Sequence, residues 1–214
     1  MMKILILGAA GQIGRILTDY LLEQTNYELI LYAKNAGKRL ELKVPSRKTI
    51  IDGDFKDYDK LVSAMKGVDV VYVNDMGDKE NTKVIVKAMH KTGLKRIIVA
   101  SILGIYDEVP GAFGRWNLQM VGANGVQRHK DSVALVEVPD LDHTILRLTW
   151  LYNQNGNKKY NLTFKGQPFE GAQVTRQAVA QLIVDIIEDK SGKYIKTSLG
   201  ISEPNTNWDK PSFY

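Results

Sequence analysis

A doubly wound α/β fold around a mostly parallel sheet is what this sequence predicts. Short apolar runs bounded by small or polar residues alternate with segments whose apolar residues recur every three or four positions. A glycine-spaced loop joins the first such run to the first helical segment.

Taken in order, KILIL (3–7) leads through GAAGQIG (8–14) into a segment where Ile13, Ile16, Leu17, Tyr20 and Leu21 form one apolar stripe. YELILYA (27–33) and KTIID (48–52) are the next two strands. Leu61, Ala64 and Met65 mark a helix, DVVYV (69–73) a fourth strand, and Val84, Ile85, Ala88 and Met89 a further helix that Gly93 closes. RIIVA (96–100), HTILRL (143–148) and YIKTSLGI (194–201) complete the strands, and the last two flank a helix carrying Val179, Leu182, Ile183, Ile186 and Ile187. Right-handed crossovers turn this alternation into a parallel sheet covered on both faces. The near-continuous apolar character of the early strands is what burial on both faces requires.

Two segments break the alternation. Residues 102–125 are rich in glycine and include Phe113 and Trp116; residues 152–173 are polar and include Pro168. Each follows a strand, so each is expected as a substrate loop over the carboxyl edge of the sheet. The closing stretch EPNTNWDKPSFY carries no evident chemistry.

A chain of 214 residues suits a single domain, 1–214, which buries roughly 70% of its unfolded surface. No cysteine is present, which removes disulfides, thiolate metal ligands and cysteine nucleophiles, and fits a cytoplasmic protein. The apolar stretch ILIL before Gly8 falls short of the ~7 to 15 residues of a secretory signal, and no segment approaches the ~18 of a membrane span. No membrane partner is expected. The net charge of +5 includes a basic stretch of Lys34, Lys38, Arg39, Lys43, Arg47 and Lys48, read as a solvated face, with anionic-ligand binding as the other reading. Nucleic acid is not expected, because no helix-turn-helix, aromatic stacking motif or Cys/His finger accompanies the charge.

Gly8, Gly11 and Gly14 depart from the G-x-G-x-x-G fingerprint, since Ala10 holds the middle place, but the physical roles are unchanged. Gly8 permits the turn off the strand, Gly11 a close approach of a diphosphate, and Gly14 close packing of helix on strand. The amides of Gln12 and Ile13, at the positive end of the helix dipole, are donors for an anion. An NAD site offers a carboxylate at the end of the second strand, where this chain has Ala33, Lys34 and Asn35. Lys34, with Lys38 or Arg39 behind it, matches a 2′-phosphate, so NADP (NADPH) is expected over NAD. The plainer reading of Lys34 is a solvated strand end.

GAAGQIG, YAKN, DGDFKDYDKLVSAMKGVDVVYVN, RIIVASILGIYDEVPG, LDHTILRLTWLYN and TRQAVAQLIVDIIED together resemble an atypical short-chain dehydrogenase/reductase of the NmrA-like, NAD(P)H-binding kind, over essentially the whole chain. The resemblance implies a Rossmann-like fold, with Asp54 and Phe55 beside the adenine, Asn74 and its neighbours along the cofactor, and Ser101 near the nicotinamide. It also implies that Thr149, Trp150 and Leu151 shape the nicotinamide pocket.

Such reductases carry Tyr-x-x-x-Lys, the lysine lowering the tyrosine pKa for proton exchange. None of the ten tyrosines here has lysine four residues on. In the family's alignment His129 stands near the tyrosine's place, with Val133 where the lysine would be and Leu148 where proline is frequent. His129 shares a helical face with Val126, Val133 and Val136, so it reads first as a packed histidine and second as a proton donor titrating near neutrality. Ser101 and Tyr106 are the other candidate catalytic groups. Arg147 and Arg176 read as members of structural ion pairs. His90 and His143 fall on separate elements, so no metal site is expected.

The expected function is hydride transfer from NADPH to an easily reduced small-molecule acceptor, quinone-like or flavin-like, whose reduced anion is stable enough to do without the tyrosine–lysine pair. The alternative is a non-catalytic NADP(H)-binding redox sensor acting through a regulatory protein partner. A homo-oligomer is compatible with either. A sugar-nucleotide epimerase fits less well, because it needs the tyrosine and a longer substrate domain.

Overall fold

The computed structural model describes residues 1–40 and 47–214, so Lys43 of the basic stretch lies outside the described residues. Parallel strands β1 (Lys3–Leu7), β2 (Glu28–Ala33), β3 (Lys48–Asp52), β4 (Val70–Val73), β5 (Arg96–Ile102) and β6 (Asp142–Leu148) lie in the order β3-β2-β1-β4-β5-β6. β7 (Trp150–Tyr152) and β9 (Gln173–Thr175) form a small parallel ribbon beyond β6, and β8 (Asn161–Phe164) and β10 (Thr197–Ser202) extend the main sheet past it. β10 runs parallel to β6, and β8 runs antiparallel to β10 at the edge. The expected doubly wound fold is therefore the observed one.

Strand alternation divides the core between the two faces of the sheet. Ile4 and Ile6 of β1 face α1 (Gln12–Gln24) and α7 (Arg176–Glu188), whose Leu17, Leu21, Val179, Leu182 and Ile183 share their cluster. Leu5 and Leu7 face the opposite layer, built by α3 (Tyr58–Met65), α4 (Lys79–Thr92) and α6 (Ala123–Ala134), with Leu61, Met65, Ile85, Met89 and Val133. Asp57, Asp78 and Thr175 cap α3, α4 and α7 by accepting amides of Lys60, Asn81 and Ala178, each cap contributing about 1 kcal/mol. Gly93 closes α4 in the left-handed conformation, as expected. The N-terminus of α1 differs: Gly11 occupies the cap and no side chain accepts from the first turn.

Several elements correct the sequence reading. The segment 102–125 is not loop throughout, because α5 (Gly111–Val121) and the start of α6 occupy it. Two of its glycines mark helix boundaries, Gly111 and Gly122 having φ of 70° and 76°. The segment 152–173 contains β8, and the strand expected from residue 194 begins at Thr197, after a turn in which Lys196 has φ 55°. Arg47 is not merely solvated: its guanidinium donates to the carbonyls of Thr25 and Leu22, both at 2.6 Å, closing the end of α1. The C-terminal Tyr214 packs edge-on against Trp116 and Trp150. A short helix α2 (Ala36–Arg39) follows β2.

Candidate nucleotide and acceptor site

β1 and β4 are neighbours in the sheet although five elements separate them in the chain, and the crevice opens where the winding reverses between them. Two cavities meet there, sharing Asn74 and Asp75. One, of about 350 Å3, runs from the glycine loop to the ends of β2 and β3 and is lined by Gly8, Ala10, Gly11, Lys34, Arg39, Asp54, Phe55 and Asn81, among others. The other, of about 370 Å3, lies over the ends of β5 and β6 and includes Gln12, Ile13, Ser101, His129, Thr149, Leu151 and Arg176.

The loop is held from below. Gly8, at φ 83°, and Ala9 both donate their amides to the carbonyl of Tyr32, and Gly11 donates back to Gly8. A Cβ on Gly14 would lie 2.8 Å from the Gly8 carbonyl oxygen, so this glycine lets the helix start against the turn. A Cβ on Gly11 would lie 2.4 Å from Nδ2 of Asn74. Asn74 is fixed in turn: its amide nitrogen donates to Leu7, and its Oδ1 accepts from the Tyr72 hydroxyl at 3.1 Å. Burial pushes the Tyr72 pKa up, which keeps that hydroxyl protonated as a donor.

Cationic groups gather at the rim. Lys34 Nζ lies 3.2 Å from Asp54 Oδ2, and Arg39 donates to the Lys34 carbonyl at 3.2 Å. The backbone amide of Lys56 and the Lys34 ammonium hold the Asp54 carboxyl below its usual range. Arg15 donates from Nε to the Ala10 carbonyl at 3.1 Å and from Nη2 to the Arg39 carbonyl. Arg15 escaped the sequence reading, although its place one residue after Gly14 puts it on the first turn of α1 beside the loop. Phe55 stacks on Tyr32, ring centroids 6.2 Å apart.

In the second cavity, Ser101 Oγ lies 3.4 Å from Nδ1 of His129. Burial pulls the His129 pKa below its ordinary 6.5, Asp75 opposing the shift in part. Gly77 leaves room for the ring, since a Cβ there would stand 3.3 Å from Nε2. Thus Ser101 and His129, 28 residues apart in the chain, come together as candidate groups.

Tyr106 does not join them. The Glu108 carboxylate accepts from the amides of Gly104 and Tyr106, and this turn places the Tyr106 ring against Lys165 Nζ (4.1 Å) and the Arg147 guanidinium (5.5 Å), outside the cavity. Trp150 also faces elsewhere. Thr149 and Leu151 line the cavity, whereas Trp150, between them on alternating backbone, donates its indole N–H to Asn117 at 3.0 Å and packs on Trp116. Arg147 is the expected ion-pair member: fully buried, it meets Glu108 at 2.8 Å and also donates to Ser198 and Thr163. Arg176 departs from that expectation, having no carboxylate within salt-bridge distance among the described residues and donating instead to Asn153 Oδ1 at 3.3 Å.

The residues present fit a nicotinamide dinucleotide. The first turn of α1 has no side-chain cap, the glycine loop forms a cradle that a Cβ would fill, and Asn81 Oδ1, lining the first cavity, is buried without a hydrogen-bond partner. Among the described residues no group of His, Cys, Asp or Glu is placed to hold a metal ion, and no helix is long and apolar enough to cross a membrane.

Fold and cradle together define a class: a dinucleotide-binding, Rossmann-like α/β protein. A family model described as NAD(P)H-binding matches residues 8–190, and the chain belongs to that family. The similarity extends to a short-chain dehydrogenase/reductase from Veillonella parvula, 36% identical, whose crystal structure in complex with NADP aligns over 99% of both chains with a TM-score of 0.95. A Rossmann-fold NAD(P)-binding family protein from Shigella flexneri is 32% identical over 100% of both chains, with a TM-score of 0.82. An uncharacterized protein of Mycobacterium tuberculosis is 36% identical over 107 residues, a stretch that makes up 47% of this chain and 12% of that protein. The chain therefore matches only a small part of that relative's length.

Proposed function

We propose that this protein is an NADPH-dependent reductase of an easily reduced small acceptor, quinone-like or flavin-like. The observation that carries the reading is the junction of the two cavities at Asn74 and Asp75, which lets one extended ligand reach from the cationic rim to Ser101 and His129. Lys34, Arg39 and Arg15 at the rim favour a 2′-phosphate, hence NADP over NAD, because β2 ends in Ala33, Lys34 and Asn35 with no carboxylate of its own and Asp54 beside it is paired with Lys34. The bound NADP complex of the Veillonella relative supports the same cofactor.

When bound, the reduced nicotinamide supplies the hydride. The chain holds the acceptor against it: Ile13, Ile102, Leu148 and Leu151 give the cavity its apolar wall. The one proton needed to complete reduction of a quinone oxygen comes from solvent through His129 and the Ser101 hydroxyl beside it. Neither group needs the strength of a tyrosine–lysine pair if the acceptor is electron-poor.

The test is NADPH oxidation by the purified protein across a panel of quinones and flavins, with NADH in parallel. Turnover with NADPH preferred supports the reading. Tight NADPH binding with no turnover on any of them overturns it in favour of a redox sensor, for which the same nucleotide cradle would serve.

A further inference from the structure

Arg176, the first residue of α7, lines the cavity that holds Ser101 and His129. Arg147 is neutralised by Glu108, while Arg15 and Arg39 bond to backbone carbonyls. Arg176 spends one donor on the neutral oxygen of Asn153, whose Nδ2 passes the chain on to Gln12 Oε1 at 3.3 Å. Two amide side chains thus orient the guanidinium without cancelling its charge. Asp75, the carboxylate lining the same cavity, accepts instead from the amide of Gly77 at 2.9 Å. Burial alone pulls the Arg176 pKa below its ordinary value, and no anion raises it.

A partly desolvated guanidinium with free donors on a cavity wall is a binding device for a planar anion, because its fork matches a carboxylate with two parallel hydrogen bonds. The interposed amides of Asn153 and Gln12 set it back from the N-terminus of α1, where the diphosphate is expected. We propose that Arg176 is the anion-binding subsite of the acceptor pocket, and that the acceptor is a reducible planar ring carrying a carboxylate. This rests on the reductase reading and narrows it. A cavity of about 370 Å3 suits a ligand of that size.

The test uses protein saturated with NADP+, so that no turnover occurs, and two probes of equal shape, anthraquinone-2-carboxylate and anthraquinone-2-carboxamide, titrated by calorimetry. The parent protein is expected to bind the carboxylate about tenfold more tightly, as one charge-assisted bidentate contact provides. Arg176→Gln should abolish that preference, and Arg176→Lys should restore part of it, charge being kept and the fork lost. Equal affinity for the two probes in the parent protein overturns the subsite while leaving the reductase reading in place. A tenfold loss of NADP+ affinity in Arg176→Gln also overturns it, since that would put the guanidinium on the cofactor. If neither ring binds and no quinone or flavin is reduced although NADP+ binds, the reductase reading falls and the subsite with it.

Discussion

The Tyr72 hydroxyl, buried beneath the crevice, donates to Oδ1 of Asn74 at 3.1 Å and so turns the amide nitrogen of Asn74 toward the glycine loop. A residue of the sheet core thereby sets the donor pattern of the nucleotide cleft. Replacing Tyr72 by Phe removes one buried hydrogen bond, a loss of about 1 kcal/mol. It also frees the Asn74 amide to rotate. NADPH affinity, followed by nucleotide fluorescence, is expected to fall about fivefold, the equivalent of that energy. Unchanged affinity would mean that Asn74 is held by its backbone alone.

Two glycines of the same loop should fail differently on substitution by alanine. At Gly14 the new methyl meets the carbonyl oxygens of Gly8 and Ala9 at 2.8 and 2.9 Å, and backbone cannot step aside, so a stability loss of about 1 to 3 kcal/mol is expected in urea denaturation. At Gly11 the obstacle is the Asn74 side chain, which can move, so the fold should survive while NADPH binding weakens by about tenfold or more as the donor is displaced.

The Lys34 ammonium is paired with Asp54 across the ends of β2 and β3, and in the proposed NADP site it meets the 2′-phosphate. Lys34→Asp is expected to reverse the preference between NADPH and NADH, each phosphate–cation hydrogen bond being worth about 1.5 to 3 kcal/mol. Parallel titrations with the two nucleotides read the outcome, and indifference to the change would count against an NADP site.

Burial pulls the pKa values of both His129 and His143 below 6.5. The unfolded chain then takes up protons near that pH before the folded chain does, so stability is full above 6.5 and is lost as pH falls through 6.5 toward the folded values. The lowered carboxyls of Asp54, Asp131 and Asp189 act in a different window, their contribution being lost only as pH falls through 3.8. Thermal melts from about pH 7 to about pH 5 should therefore show a decline that is shallower in a His129→Gln/His143→Gln double variant. Parallel declines in the two proteins would place its cause elsewhere.

Arg147 and Glu108 form an ion pair with side-chain exposures of 0% and 4%, tying β6 to the turn after β5. Glu108→Gln leaves the guanidinium charge buried and unpaired, at a cost of about 3 to 5 kcal/mol. Replacing both partners with apolar residues of similar volume should recover much of that loss. Chemical denaturation of the single and double variants measures the difference.

The strands and the helix stripes were legible because each is a repetition within a few neighbouring residues. The run Ile4–Leu7 reads as a strand buried on both faces, and Leu17 and Leu21 mark the buried stripe of α1, without reference to the rest of the chain. The glycine loop was legible for the same reason. Glycine content misled at 102–125, where Gly111 and Gly122 mark helix ends, a role that composition does not distinguish from a loop. A three-residue strand such as β7 is too short to display its alternation, so the outward turn of Trp150 was invisible.

By itself, the sequence determined the alternation of strands and helices, the place of the glycine cradle after β1, and the absence of a Tyr-x-x-x-Lys pair. These follow from adjacent residues, whose spacing is a property of the chain in any environment. Tertiary structure alone decided which charges are cancelled and which side chains share a cavity. Arg147 finds its carboxylate 39 residues away while Arg176 finds none among the described residues, and Ser101 meets His129 across 28 residues whereas Tyr106 turns aside. Pairing depends on distances across the folded sheet edge, and electrostatic attraction at a few ångströms has no counterpart in sequence separation.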